Sequence, residues 1–168
     1  RAAVHRRITS AMTAHPEMVA GTDRICTQLM AAFGDRIFCK SGASAFYAVG
    51  IKDKGIGIAL KMEDGASSIV PYAILSVLTQ LGVITPEEAC SLPRYHDKNL
   101  YNNHHAVVGR TELAFQLGRS ANGKDCTQKQ SASVLLPESS INKATRLAGG
   151  FVYAGMALRI KRFPDFRA

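Results

Sequence analysis

A chain of 168 residues with 46% apolar content has the size of one domain and enough apolar material for a core. No apolar run approaches the roughly 18 uncharged residues of a membrane span, and RAAVHRRITSAM lacks the apolar stretch of a signal peptide, so a cytoplasmic protein is expected. The net charge of +8 suggests nucleic acid only until it is divided: residues 115–168 hold 9 Lys+Arg against 3 Asp+Glu and residues 1–114 hold 12 against 10, and without interleaved aromatics or a known module nucleic-acid binding is not expected.

The chain opens with helical spacing, Val4, Ile8, Ala11 and Met12, which stops before His15-Pro16. A domain seldom begins inside a helix, so a piece of a longer protein is expected. GTDRICTQLMAAFG predicts the next helix, with Thr22 or Asp23 as cap, an apolar face of Ile25, Leu29, Met30 and Phe33, and Gly34 as a left-handed stop. Three strands follow, over 36–42, 46–51 and 56–62. The last two are joined by KDKG, with Gly55 at a position suited to positive φ, and form a hairpin.

SSIVPYAILSVLTQLG is apolar on almost every side, so it reads as a helix covered on more than one face and ended by Gly82. TPEEACSL carries a capping box, with Thr85 as cap, Pro86 in the first turn and Glu88 three residues on, and Pro93 stops it. AVVG at 106–109 is a candidate further strand. The order predicts an α+β fold, an antiparallel sheet backed by helices. Cys26, Cys39, Cys90 and Cys126 show no C-x-x-C pair and no histidine at metal spacing, so they read as reduced thiols.

Lys40-Ser41-Gly42 interrupts the apolar run RIFCKSGASAFYAVGI. From spacing alone, such a lysine belongs at a sheet edge with its ammonium reaching water. HPEMVAGTDRICTQLM, GDRIFCKSGA and GIGIALKMEDGA resemble the C-terminal half of the L-asparaginase II family of the rhizobial type, densely from Thr13 to Glu88 and more weakly to NNHHAVVGR. The resemblance implies part of a serine β-lactamase-like fold and hydrolysis of L-asparagine to L-aspartate and ammonia. It divides the chain into 1–114, the C-terminal part of an asparaginase-like domain, and 115–168, a basic, loop-like tail of unknown structure, aberrant, disordered or a module without a motif.

Lys40-Ser41-Gly42 matches the K-T-G or K-S-G triplet that such serine enzymes place on a strand beside the nucleophile. The resemblance thus gives Lys40 and Ser41 catalytic roles, and Gly42, Gly21 and Thr22 contact with substrate. A second lysine beside the base would lower the pKa of that base and attract the α-carboxylate of the substrate. The family's nucleophile lies upstream, which makes the strings SINK (Ser140, Lys143) and CTQK (Cys126, Lys129) chance matches in the wrong order. No cofactor is expected in this chain, although zinc is allowed in the full-length family enzyme, whose C-x-x-K metal string also lies upstream.

Cys26 matches a family cysteine, yet a cysteine beside a helix's apolar face reads first as packing. His15 reads as capping or packing, Lys61 and Asp64 as a solvated strand end, and His104-His105 as lacking a third ligand. Two functions stand at this point: an asparaginase acting through its complete chain, and a non-catalytic remnant or binding domain. A homo-oligomer is left open.

Overall fold

Strand and helix periods follow one another as the apolar spacing predicts. The computed structural model describes residues 2–92, 99–112, 115–117, 126–135 and 151–162. Helix α1 spans Ala2–Ala14, α2 Pro16–Ala20 and α3 Ile25–Phe33; strands β1 Ile37–Ser41, β2 Phe46–Ile51 and β3 Ile56–Met62 follow. Helices α4 Val70–Gln80 and α5 Pro86–Cys90 come next, then β4 Asn99–Tyr101, β5 Val107–Glu112, β6 Cys126–Leu135 and β7 Phe151–Arg162. The strands form one antiparallel sheet in the order β1-β2-β3-β7-β6-β5-β4, so β1 is an edge among the described residues. The α+β class is as expected. None of the described helices is long and apolar enough to cross a membrane.

Alternation along β1–β3 sorts the two faces of the sheet. Ile37, Cys39, Tyr47, Val49, Ile51, Ile58, Leu60 and Met62 are buried, and they share the core with α3 and α4. Helix α3 contributes Ile25, Leu29, Met30 and Phe33. In α4, Val70, Ala73, Ile74, Leu75, Val77 and Leu78 are all buried, which covers it on more than one face as its composition demanded. Small residues dominate the opposite face, and a Cβ on Gly50 would enter the space of the Phe38 ring. Gly55 and Gly82 take positive φ, +57° and +60°, as the hairpin and the helix stop require.

Two local expectations are corrected. The cap of α3 is Arg24, with no side-chain cap bond, and neither Thr22 nor Asp23 fills that role. Asp23 is instead in the left-handed region, φ 57°, and the turn is fastened by Thr27 Oγ1 donating to the carbonyls of Gly21 at 2.6 Å and Pro16 at 3.2 Å. Gly34 is right-handed, at φ −65°, and so is no left-handed stop. What demands glycine there is closeness: a Cβ would collide with the Met30 carbonyl and lie 3.1 Å from Thr13 Cβ of α1.

The tail is the larger difference. Polar composition made residues 126–135 read as loop, yet β6 pairs with β7 over ten positions, and β7 pairs with β3 from Ile56↔Arg162 to Met62↔Met156. A ladder partner satisfies backbone groups whatever the side chains' propensity, and only tertiary context supplies that partner. Pro93 lies outside the described residues.

The capping box at Thr85 is complete: Thr85 Oγ1 accepts from Glu88 N at 3.2 Å, and Thr85 N donates to Glu88 Oε2 at 2.8 Å. Arg36 joins this helix start to the sheet. Its guanidinium donates to Glu88 Oε1 at 2.8 Å and to the Val83 carbonyl at 2.9 Å, and it stacks 5.1 Å from the centre of the Phe33 ring. The Arg36 hydrogen bond, with the Thr85 amide, holds the Glu88 carboxyl below the usual carboxylate range. A depressed folded-state pKa contributes stability that is present above the unfolded value, about 4.3, and lost as pH falls through the folded value. Glu88→Gln should therefore lower Tm at pH 7, and the gap from wild type should close as pH drops below about 4. A gap independent of pH in thermal melts would remove the ionic contribution.

Candidate active site

The Lys40-Ser41-Gly42 triplet lies on the edge strand β1 and runs into its turn. Lys40 pairs with Ala48, and its side chain is exposed, with the ammonium donating to the Ser41 carbonyl at 2.9 Å. This is the solvated edge position that spacing alone predicts. Ser41, one residue on, is half-buried and belongs to the other face with Cys39 and Tyr47. Gly42 N donates to the Phe46 carbonyl at 2.8 Å, and a Cβ there would meet Phe46 Cδ1 at 3.0 Å, so the turn closes against that ring. The turn tip holds Ser44 and Ala45 at φ 51° and 56°, two left-handed non-glycine residues in succession. Such residues cost of order 1 kcal/mol each and persist where surroundings hold them. Here Lys61 Nζ donates to the Ser44 carbonyl at 2.6 Å, and Met62 N donates to that of Ala45 at 3.3 Å.

Gly21 and Thr22 form the turn that leads into α3, with Gly21 at φ +85° and Thr22 exposed. The described hydrogen bonds that join this segment to the triplet run through Cys26, in the first turn of α3. Ser41 N donates to Cys26 Sγ at 3.2 Å, Cys39 Sγ donates to the Cys26 carbonyl at 3.7 Å, and Tyr47 Oη donates to Cys39 Sγ at 3.2 Å. Cys26, Cys39 and Tyr47 are fully buried, and both thiols are free.

The donors form a relay from Tyr47 through Cys39 to the Cys26 carbonyl, while Ser41 N reaches the Cys26 sulfur directly. The hydrogen bond from the Cys39 thiol, followed by those from Tyr47 and Ser41, outweighs burial and lowers the Cys26 thiol to about 5. Cys39 moves the other way, held protonated by its bond to Cys26 and then by burial, and burial pushes Tyr47 well above its ordinary range. Of the two, Cys26 is the thiol that loses its proton more readily, and Cys39 the one that keeps it. The place of Cys26 in the first turn of α3 adds the positive end of the helix dipole.

Cys26 packs in the core as expected, and its sulfur also accepts from Ser41 N; its neighbours Cys39 and Tyr47 were missed by sequence reasoning. A signal for them existed. Strand alternation puts residues 39, 41 and 47 on one face, and a buried tyrosine hydroxyl needs a partner.

The remaining candidates are local structure. His15 is the N-cap residue of α2, as the capping reading has it, but its exposed ring makes no side-chain cap bond and lies 3.5 Å from Glu17, so it caps by backbone position and does not pack. Lys61 binds the carbonyls of Ser44 and Met62, while Asp64 Oδ1 accepts from Ala66 N; the two end a strand and do not act on each other. His104 and His105 occupy the β4–β5 turn, where Asn102 Oδ1 accepts from the amides of His104 and Ala106. Cys126 and Lys129 are on β6, and Ser140 and Lys143 lie outside the described residues.

Among the described residues no three His, Cys, Asp or Glu side chains are arranged to hold a metal ion. A cleft of about 420 Å³ opens on the outer face of the sheet, lined by Ile8, Met12, Phe38, Lys40, Ala48 and Gly50 among others. Its walls are almost wholly apolar and do not complement a zwitterionic amide.

No curated protein matches the chain. The model of the L-asparaginase II family matches residues 1–113, which take in α1 through β5, the Lys40-Ser41-Gly42 edge and the Cys26 group. The chain belongs to the L-asparaginase II family.

Proposed function

We propose that this chain supplies one wall of the substrate cleft of a serine-dependent enzyme that hydrolyses L-asparagine to L-aspartate and ammonia. The observation that carries the reading is the K-S-G triplet within the matched family region; the exposed Lys40 ammonium at the edge of the described sheet counts for a solvated lysine. Neighbouring strand residues project to opposite faces, so Lys40 and Ser41 reach one small substrate only around an open edge, and β1 is such an edge. There the Lys40 ammonium attracts the α-carboxylate and disfavours protonation of a neighbouring lysine base. The Ser41 hydroxyl donates to the same carboxylate, and Gly42 allows close approach. Gly21 and Thr22 contact the substrate from the turn before α3.

In this proposal residues 1–114 correspond to the C-terminal half of a rhizobial-type enzyme with a serine β-lactamase-like fold. The nucleophilic serine and its lysine come from upstream sequence, and backbone N–H groups hold the oxyanion. The 168-residue chain alone is then expected to release no ammonia from L-asparagine.

In the complete enzyme Lys40→Ala should lower kcat/KM for L-asparagine at least about tenfold, or about 1.4 kcal/mol of transition-state stabilisation. Unchanged kinetics would make Lys40 a solvated edge residue only. A complete protein that binds L-asparagine without turnover would favour the non-catalytic reading.

A further inference from the structure

We propose that Cys26 and Cys39 are a redox pair that closes reversibly to a disulfide beneath the K-S-G strand. Three observations converge. The two cysteines sit on elements packed face to face, the first turn of α3 and the inward face of β1, and the Cys39 thiol donates to the Cys26 carbonyl. The Cys39 sulfur lies 3.7 Å from the Cys26 carbonyl, so it rests against the backbone of the residue it would join, as the short Cα separation of a disulfide requires. The Cys26 sulfur accepts from Ser41 N, and the Cys39 sulfur accepts from Tyr47 Oη. A backbone donor on a sulfur in the first turn of a helix favours its thiolate, which makes Cys26 the nucleophile and Cys39 the resolving thiol.

The chemistry balances with a hydroperoxide as oxidant. The Cys26 thiolate attacks one oxygen of hydrogen peroxide, the O–O bond breaks, and hydroxide leaves, so that Cys26 becomes a sulfenic acid. Cys39 then attacks the Cys26 sulfur and forms the S–S bond. The sulfenic oxygen leaves as water, with the proton from the Cys39 thiol. Reversal needs an external thiol, which restores both residues by exchange. Neither sulfur is open to solvent, so attack waits on local opening of the fold and is slow. Closure takes the thiolate acceptor away from Ser41 N and so links the redox state of the pair to the strand that carries Lys40 and Ser41.

The test reads mass and does not require enzyme activity, so it stands apart from the reading of the chain as an asparaginase. The protein carrying Cys90→Ser, which removes an exposed thiol on α5, is treated with hydrogen peroxide, denatured, alkylated and digested without reductant. The expected result is loss of both alkylated forms, a Cys26–Cys39 linked peptide lighter by two hydrogens, and return of both alkylated peptides after dithiothreitol. In Cys39→Ala, dimedone should instead capture a sulfenic acid on Cys26. Both cysteines alkylated after peroxide, separate oxidation without a link, or Cys26 joined to Cys126 would each overturn the pair.

Discussion

Tyr47→Ala is expected to lower the free energy of unfolding by about 4 kcal/mol, the middle of the range for removing a buried aromatic side chain. Tyr47 is fully buried and stands opposite Ser41 on β1 and Leu60 on β3. Its ring fills the core beneath three strands, and its hydroxyl donates to Cys39 Sγ at 3.2 Å. Truncation to a methyl leaves a cavity that a paired sheet cannot collapse into, and it strands the sulfur. Tyr47→Phe separates the two contributions. It keeps the ring and removes one hydrogen bond, so its cost should be about 1 kcal/mol. Urea denaturation of both variants decides the matter: a Tyr47→Ala loss no larger than that of Tyr47→Phe would mean that the ring contributes nothing to the core.

Leu78→Ala in α4 should cost about 3 kcal/mol, within the usual range for a core leucine. Leu78 has no exposed surface, and the residues one turn before it and beside it, Ile74 and Val77, are equally closed. The loss combines the transfer free energy of the removed carbons with an unfilled space between helix and sheet. Ser76→Ala provides the control. Ser76 is half-buried on the same helix, so its substitution should change stability by no more than about 0.5 kcal/mol. Equal midpoints for the two variants in urea would contradict the placement of α4 at the centre of the core.

Sequence by itself determined what depends on neighbours a few residues apart. The period-two runs located β1–β3 to within a residue, and Gly55 marked the turn of their hairpin. The all-round apolar run announced that α4 is enclosed, and Thr85 with Glu88 announced a helix start. Each of these is a local matter of side-chain period, backbone angle or a capping hydrogen bond, so the residues that decide it are adjacent in the chain. The Lys40-Ser41-Gly42 triplet was legible for the same reason, since its three members are consecutive.

What only the tertiary structure decided depends on partners far away in sequence. Strand β3 finds β7 some hundred residues on, and the polar β6 is a strand only because β7 and β5 flank it. Gly34 looked like a left-handed stop because its neighbours alone are visible in sequence; the Thr13 side chain that crowds it belongs to another helix. The same holds for Cys26, Cys39 and Tyr47. Helical period places the first near an apolar stripe and strand period places the others on an inward face, but their meeting needs the register of β1 on β2 and the docking of α3 on β1. A thiol's ionisation follows from the donors that surround it, and those donors are gathered by the fold.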